Sequence, residues 1–585
     1  MRASPIFILA IASLSLLGQE GPPRTFRQWL GGEEVGGASL ETRRDGKHLE
    51  VRSREWMVLS RLGQELRQEV DQTARKGPGG SLSFTWRVQL SAEPFEGRAE
   101  WSPLEPGVLA LQPAQGPAVR KDIPRGAILW PEDLDAQLRE AARNRQPVHA
   151  ITFSFPFQQW STLDLAPQGP APLPGFPDAV RFTGQEHEGP ITAPVELWFS
   201  PTAGELRHRS ELGGMEVLSQ RSELPPPTPA KSPAGGFFER TIKTLPPQPF
   251  QPWLPEVILW VHGALPPIPE DAQQTRLPDD RWRLRRAASP TAAEAAQPPV
   301  QGVPPPDLAP YLASSPLVQF QDPAFEGVLR RMNLPPGLSR WSLAQRVTTF
   351  VFDWITVKDY TVGFASALEV VHQPRGDCTE HGVLAVALLR RLGVPARGVT
   401  GWVGLGEVLG LHFWVEVRLQ DRWVPIDPTF DQAPASALRI KVGDTDLADM
   451  GSVLWEGSAS DLSKVTWTPV EEPALPIRGD TIKGPGGIQL RLPGGRWELR
   501  QGVLNLRGPQ GGPWRVQAVI RPSEAQLKGA TRLAGARTLR QGWWQAGTRL
   551  LWMDLGGRRW LQVEGISEPE AYDLLDQLMA PASSS

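Results

Sequence analysis

Three side chains in this sequence stand where acyl-transfer chemistry would need them. Among 585 residues there is a single cysteine, Cys378, in "GDCTEHGVLAVALLRRLGVPAR". A lone thiol has no partner for an intramolecular disulfide, so it is either an inert small hydrophobe or a nucleophile. It follows Gly376-Asp377 and opens an apolar run from Val383 to Leu389 that Gly393 and Pro395 stop. That pattern predicts a buried helix with the thiol in its first turn. There the unpaired N–H groups and the helix dipole favour an anion and lower a thiol's pKa below its usual value of about 8.5.

Further on, "LHFWVEVRLQDRWVPIDPTF" reads as two strands around a Gln420-Asp421 turn. Pairing Leu419 with Arg422 sets Val417 against Val424 and Val415 against Ile426, so the apolar faces match. This register puts Asp427 opposite Trp414 and diagonal to His412 on the same face, with about 7 Å between backbones. A thiol, an imidazole and a carboxylate so placed are nucleophile, base and orienter. His412 takes the proton of Cys378, Asp427 fixes the ring, and the Cys378 N–H is a candidate donor to the oxyanion.

The neighbours have plainer readings. His381, one turn after the thiol, is expected to shape the pocket rim, and Asp377 and Glu380 to cap the helix start. Arg397 is expected to pair with a carboxylate. Trp402 and Trp414 fit an acyl-binding groove or the core equally well. One cysteine and no paired histidine spacing speak against zinc, so no metal or cofactor is expected. The positioning elements are predicted upstream: "PAFEGVLRRM", then "LSRWSLAQRVTTFVFDWITV" capped by Ser339 with Leu343, Val347, Phe350, Val351 and Trp354 as its stripe, then a short helix near Ala365 to Val370.

These segments, with "SALEVV", "LHFWVEV" and "RWVPIDPTF", resemble the transglutaminase-like core of the papain-like cysteine enzymes over about a quarter of the chain. The resemblance implies Cys378 as nucleophile, His412 as general base and acid, and Asp427 as orienter. It also implies an amide substrate, in a protein or a peptide such as a cell-wall peptide, attacked to give a thioacyl-enzyme. Relatives with an aromatic residue near the oxyanion suggest Gln373, Tyr360 or Trp354 as its counterpart.

The remaining sequence frames this block. Residues 1–18 carry Arg2 and an apolar run from Pro5 to Gly18, too short to span a membrane but suited to a signal peptide, so a secreted or periplasmic protein without a membrane span is expected. Residues 25–223 alternate as strands, with one helix from Trp130 to Arg145. Residues 224–308 are proline-rich linker with one candidate docked strand, "EVILWVHGAL", in which His262 is expected to be packed. The catalytic block covers 309–470. A small α+β domain, 478–585, ends in a helix capped by Ser567 and Glu570. The expected class is therefore multidomain α+β, with a β-rich N-terminal region. A formal net charge of −3 argues against nucleic acid. The rival to an enzyme is an inactive binding or scaffold protein of the cell envelope built on the same core. Oligomeric state is not legible.

Overall fold

The computed structural model describes residues 23–223, 243–244, 256–448 and 465–469, except the short stretches 46–47, 62–63, 91–93, 115–117, 157, 189–190, 213–214, 264–267, 359–364 and 406–407, and separate segments between 475 and 579. The run expected to be a signal peptide and the Ser567–Glu570 cap lie outside the described residues. Strands dominate, so the balance is more β than the expected α+β class, and helices cluster around the central block.

Fifteen strands between Arg24 and Ser222 form one sheet. The first and last of them pair, Trp29 with Leu218, and hairpins run outward from that seam to edges at Val119–Asp122 and Ala127–Ile128. The period-two pattern decides which face is covered: Leu82, Phe84, Trp86 and Val88 are buried, while Ser83, Thr85 and Arg87 are exposed. Helix α1 (Pro131–Asn144) closes over the far half, where Leu134, Leu138 and Ala141 meet Phe182, Leu197 and Phe199.

The central block carries the other helices: the single turn α2 (Ala292–Ala295), α3 (Ala324–Met332), α4 (Arg340–Trp354), α5 (Ala367–His372) and α6 (Cys378–Arg391). Ser339 caps α4, accepting the Ser342 N–H at 3.2 Å. Its stripe splits: Leu343, Val347 and Val351 are buried, while Phe350 and Trp354 are partly covered. Helix α6 is apolar nearly all round and correspondingly buried from Cys378 to Arg390.

From the proline-rich stretch onward the chain returns to strands. Besides the two-residue Lys243–Thr244, three lie within that stretch: β1 (Glu256–His262), β2 (Gln274–Leu277) and β3 (Arg281–Arg285). The central sheet is β4 (Ala396–Leu405), β5 (Val408–Leu419), β6 (Arg422–Ile426) and β7 (Arg439–Thr445), with the two-residue Lys243–Thr244 paired to β5, and β8 (Thr466–Pro469) follows. The β5–β6 hairpin has the register read from its apolar faces, Leu419 to Arg422, Val417 to Val424 and Val415 to Ile426, with Gln420 turning at φ 47°. Strand β1 pairs with both β3 and β8. Its His262 is exposed, bonded to the Thr468 hydroxyl at 2.8 Å, and not packed as expected. The Gln274 side chain clamps the backbone of Lys441, accepting its N–H at 2.7 Å and donating to its carbonyl at 2.8 Å. That occupies backbone groups of β7. The described strands after 474 form an eight-stranded and a three-stranded antiparallel sheet.

Candidate active site

Cys378 is the first residue of α6, and the sequence before it builds the turn that presents it. Asp377 is the N-cap: its Oδ1 accepts the Thr379 N–H at 3.0 Å. Glu380 reaches back to accept the Asp377 N–H at 2.9 Å, completing a capping box. Its other oxygen accepts the Ala365 N–H at 3.0 Å, tying the turn to the segment that leads into α5. Gly376 has φ 134°, and a Cβ there would lie 2.4 Å from the Glu380 side chain, so both backbone and space demand glycine. A parallel bridge between Val357 and Arg375, with the Gly376 N–H donating to the Val357 carbonyl at 3.0 Å, lays the chain after α4 beside this turn.

His412 and Asp427 meet as the hairpin register requires. The imidazole Nε2–H donates to Asp427 Oδ2 at 2.7 Å. With that nitrogen committed, Nδ1 carries the lone pair, and it is buried without a hydrogen-bond partner. Phe430 stacks on the ring at 5.0 Å and 29°, and Trp414 lies near-parallel to it at 6.2 Å. Exposure is 1% at Cys378, 2% at His412 and 0% at Asp427.

The carboxylate is held by more than the imidazole. Arg439, on β7, donates Nη2 to the same Oδ2 at 2.5 Å, and the Thr429 N–H reaches Oδ1 at 3.0 Å. Burial alone would raise the Asp427 pKa; the charges and hydrogen bonds of His412 and Arg439 overcome it and hold the group well below the usual carboxylate range. Arg439 itself is fixed by Gln432 and by the Ser436 carbonyl. Nothing in "ALRIKVGD" signals this role in the sequence.

His381 is excluded as the base by its bonds. Its Nδ1–H donates to the Asp377 carbonyl at 2.5 Å, and Nε2 accepts from Lys358 Nζ at 2.9 Å. Burial, followed by the Lys358 charge, pushes its pKa down to about 3. Both nitrogens are in use and the ring is neutral at pH 7.

The other sequence candidates sort by their contacts. Arg397 pairs with Glu416 and Asp444, both at 2.8 Å, on the sheet. Trp402 packs against Trp467 at 5.9 Å and belongs to the core. Trp414 stays with the site. The Trp354 indole N–H is given to the Val370 carbonyl at 3.3 Å, Gln373 is exposed, and Tyr360 lies outside the described residues. Among the described residues no cluster of histidine, cysteine, aspartate or glutamate could hold a metal, and no helix is long and apolar enough to cross a membrane.

Comparison with known proteins agrees on the block. Residues 335–428 match the family described as the transglutaminase-like superfamily, a span that contains Cys378, His412 and Asp427. No curated protein matches the chain. Among solved structures, a β-barrel-like protein of a domain of unknown function from Brucella abortus aligns at 12% identity and TM-score 0.29, over 35% of this chain and 97% of that one. A putative cysteine protease from Cytophaga hutchinsonii aligns at 15% identity and TM-score 0.23, over 38% and 82%. A putative protease from Parabacteroides distasonis aligns at 10% identity and TM-score 0.14, over 85% and 94%.

Proposed function

Because residues 335–428 are a transglutaminase-like domain, we infer that the protein is an exported thiol enzyme that attacks amide carbonyls. The observation that carries this reading is an imidazole whose Nε2–H is spent on Asp427 and whose Nδ1 is left as a buried acceptor, in the same family-matched span as a buried thiol that opens a helix. In this reading His412 Nδ1 takes the Cys378 proton and the thiolate adds to the carbonyl carbon. The backbone N–H of Cys378 receives the oxyanion. The imidazolium then returns its proton to the leaving amine, giving a thioacyl-enzyme. Asp427, kept ionised by Arg439, supports the positive ring throughout. Water releases an acid; a primary amine gives a new amide. Hydrolysis needs no second binding site and is the reading adopted, on a protein or peptide substrate.

The test uses the single thiol. Iodoacetamide labelling from pH 4 to 10, followed by intact mass, reports on Cys378 alone. The expected wild-type profile reaches its plateau well below pH 8, and His412→Ala moves it upward. An ordinary thiol titration in both proteins overturns the enzymatic reading. Ammonia release from a glutaminyl peptide, with and without added amine, then separates hydrolysis from transfer.

A further inference from the structure

A guanidinium whose donors are buried without an acceptor is costly, because burial removes the water that would solvate its charge. In the N-terminal sheet three arginines from three elements gather at the turn between the strands Ile191–Ser200 and Gly204–Leu212. Arg24 opens the first strand, Arg139 comes from α1, and Arg221 lies near the end of the strand Met215–Ser222. Gly204 makes room for them. Its φ is 84°, and a Cβ there would stand 2.6 Å from Arg24 Nη1, 3.2 Å from Arg139 Nη2 and 3.4 Å from Asp135 Oδ1. Two guanidinium ends and one carboxylate therefore converge on a single backbone position.

The chain itself holds two of the three. Arg139 is bonded through Nε and Nη2 to both oxygens of Asp135 and donates Nη1 to the Pro201 carbonyl at 2.6 Å. Arg221 donates Nη1 to the Ala203 carbonyl at 2.7 Å and lies over the Phe176 ring at 5.6 Å. Arg24 differs, since its Nη2 is buried without a hydrogen-bond partner. Burial lowers its pKa against the pull of Asp135, the carboxylate already taken by Arg139. Glu205, also within electrostatic reach, has a buried Oε2 with no partner. Burial, partly offset by Arg24, raises the Glu205 pKa to about 8, so at neutral pH it is a carboxyl that can donate to an oxyanion and does not compete with one. Farther out, the exposed Glu223 acts on Arg221, and Glu55 and Glu186 act on Glu205. Docking of α1 on the turn is carried by Arg139, so Arg24 brings charge there without a bond that the fold requires.

We propose that this cradle binds a small oxyanion, a carboxylate or a phosphate, held by Arg24 at the Gly204 turn with Arg139 and Arg221 completing the positive rim. The paired N–H groups of a guanidinium match two oxygens of one anion, which gives both charge and direction to the contact. Arg24 and Arg221 are partly exposed, so the anion reaches the cradle from solvent without the sheet opening. All the residues involved lie between 24 and 221, and none belongs to the Cys378, His412 and Asp427 group, so the site stands independently of the enzymatic reading.

The experiment is amide hydrogen exchange of the full chain, read by mass spectrometry, while inorganic phosphate or acetate is titrated against sodium chloride of equal ionic strength. Matching the ionic strength removes general screening. The expected result is slower exchange in peptides covering 24–30 and 200–206 with at least one of the two anions, by about 10-fold at ten times its dissociation constant. Arg24→Gln removes the charge and the fork and should abolish the protection. Arg98→Gln, which removes an exposed arginine of the same sheet outside the cradle, should keep it. Arg221→Gln takes the place of Arg24→Gln if circular dichroism shows that the latter does not fold, and should weaken the protection. Protection that depends on Arg24 with one anion alone supports the site and fixes its class. Protection of equal size in wild type and in the cradle variant is a general salt effect and overturns the site, as does a wild type that neither anion protects.

Discussion

Gly382→Ala sets two opposing effects against each other at the heart of the site. Gly382 lies in α6 one turn beyond Cys378, and its hydrogen faces Phe413, the neighbour of His412. Replacing a mid-helix glycine with alanine ordinarily stabilises by up to about 1 kcal/mol, partly by restricting the unfolded chain. Here the new Cβ would stand 2.4 Å from Phe413 Cδ1 and Cε1. The ring cannot withdraw, because its far side fills the space over Gly398, where a Cβ would meet Cζ at 2.3 Å, and it is only 1% exposed. Either α6 lifts from β5 or the ring leaves its rotamer, at about 1–3 kcal/mol. The net expectation is a loss of about 1–2 kcal/mol. Hydrogen exchange of the α6 amides, read by mass spectrometry, isolates this domain from the rest of the chain. Phe413→Leu shortens the ring that is struck, so the double variant should recover part of the loss, a coupling visible in a double-mutant cycle. A gain in α6 protection on Gly382→Ala, or strict additivity in the cycle, would refute the packing argument.

Three further outcomes follow from the same geometry. His412→Ala should lower amide turnover by about 10²–10⁴-fold, whereas His381→Gln, which removes no acceptor used in the proton transfer, should cost about 10-fold or less; equal losses would return the base assignment to the α6 histidine. Arg439→Gln should destabilise the domain by about 3 kcal/mol at pH 7, since it strips a partner from a carboxylate that stays buried. Asp427 is depressed in the folded state, so its contribution is present above the unfolded carboxylate range and lost as pH falls; acid unfolding should therefore begin at higher pH in the variant, and an unchanged acid midpoint would contradict this. In the N-terminal sheet, burial, partly offset by Arg24, pushes Glu205 up to about 8, and burial, partly offset by Gln28, pushes Glu55 up to about 7. Both pKa values are raised by folding, so their stabilising contribution is complete below about 4.5 and is lost as pH rises through 7 to 8. The Tm difference between wild type and Glu205→Gln should accordingly move in favour of the variant between pH 6 and 9, and a pH-independent difference would refute it.

How much of this was legible in the sequence depended on how local the cause was. The β5–β6 register could be read because one apolar face and a two-residue turn fix it, and a slip by one residue would have put Val415, Val417 and Leu419 in the wrong layer. That register alone brought His412 to Asp427. The α6 start was legible for the same reason: Asp377 and Glu380 close a capping box whose bonds, from the Thr379 and Asp377 N–H groups, are local in sequence. His262 was misread because an apolar run in a proline-rich stretch suggested packing, yet its position at the end of β1 points it outward to Thr468. The proportions of the fold were misjudged where long hairpins with charged faces contribute most of the strand residues between Arg24 and Ser222.

The residues that tune the site were the least legible, and the reason is topological. Arg439 reaches Asp427 from β7, three positions away in the sheet from β6, which leads into the aspartate, and Lys358 reaches His381 from the segment between α4 and α5. Neither lies at a periodic offset from its partner, so no helical or strand spacing could pair them. Both are cations placed by tertiary packing, Arg439 beside the Asp427 carboxylate and Lys358 beside His381 in α6. Arg439 shares with the imidazole one and the same carboxylate oxygen, so its part in the site follows only from the strand order that carries β7 to the aspartate, which no stretch of sequence displays.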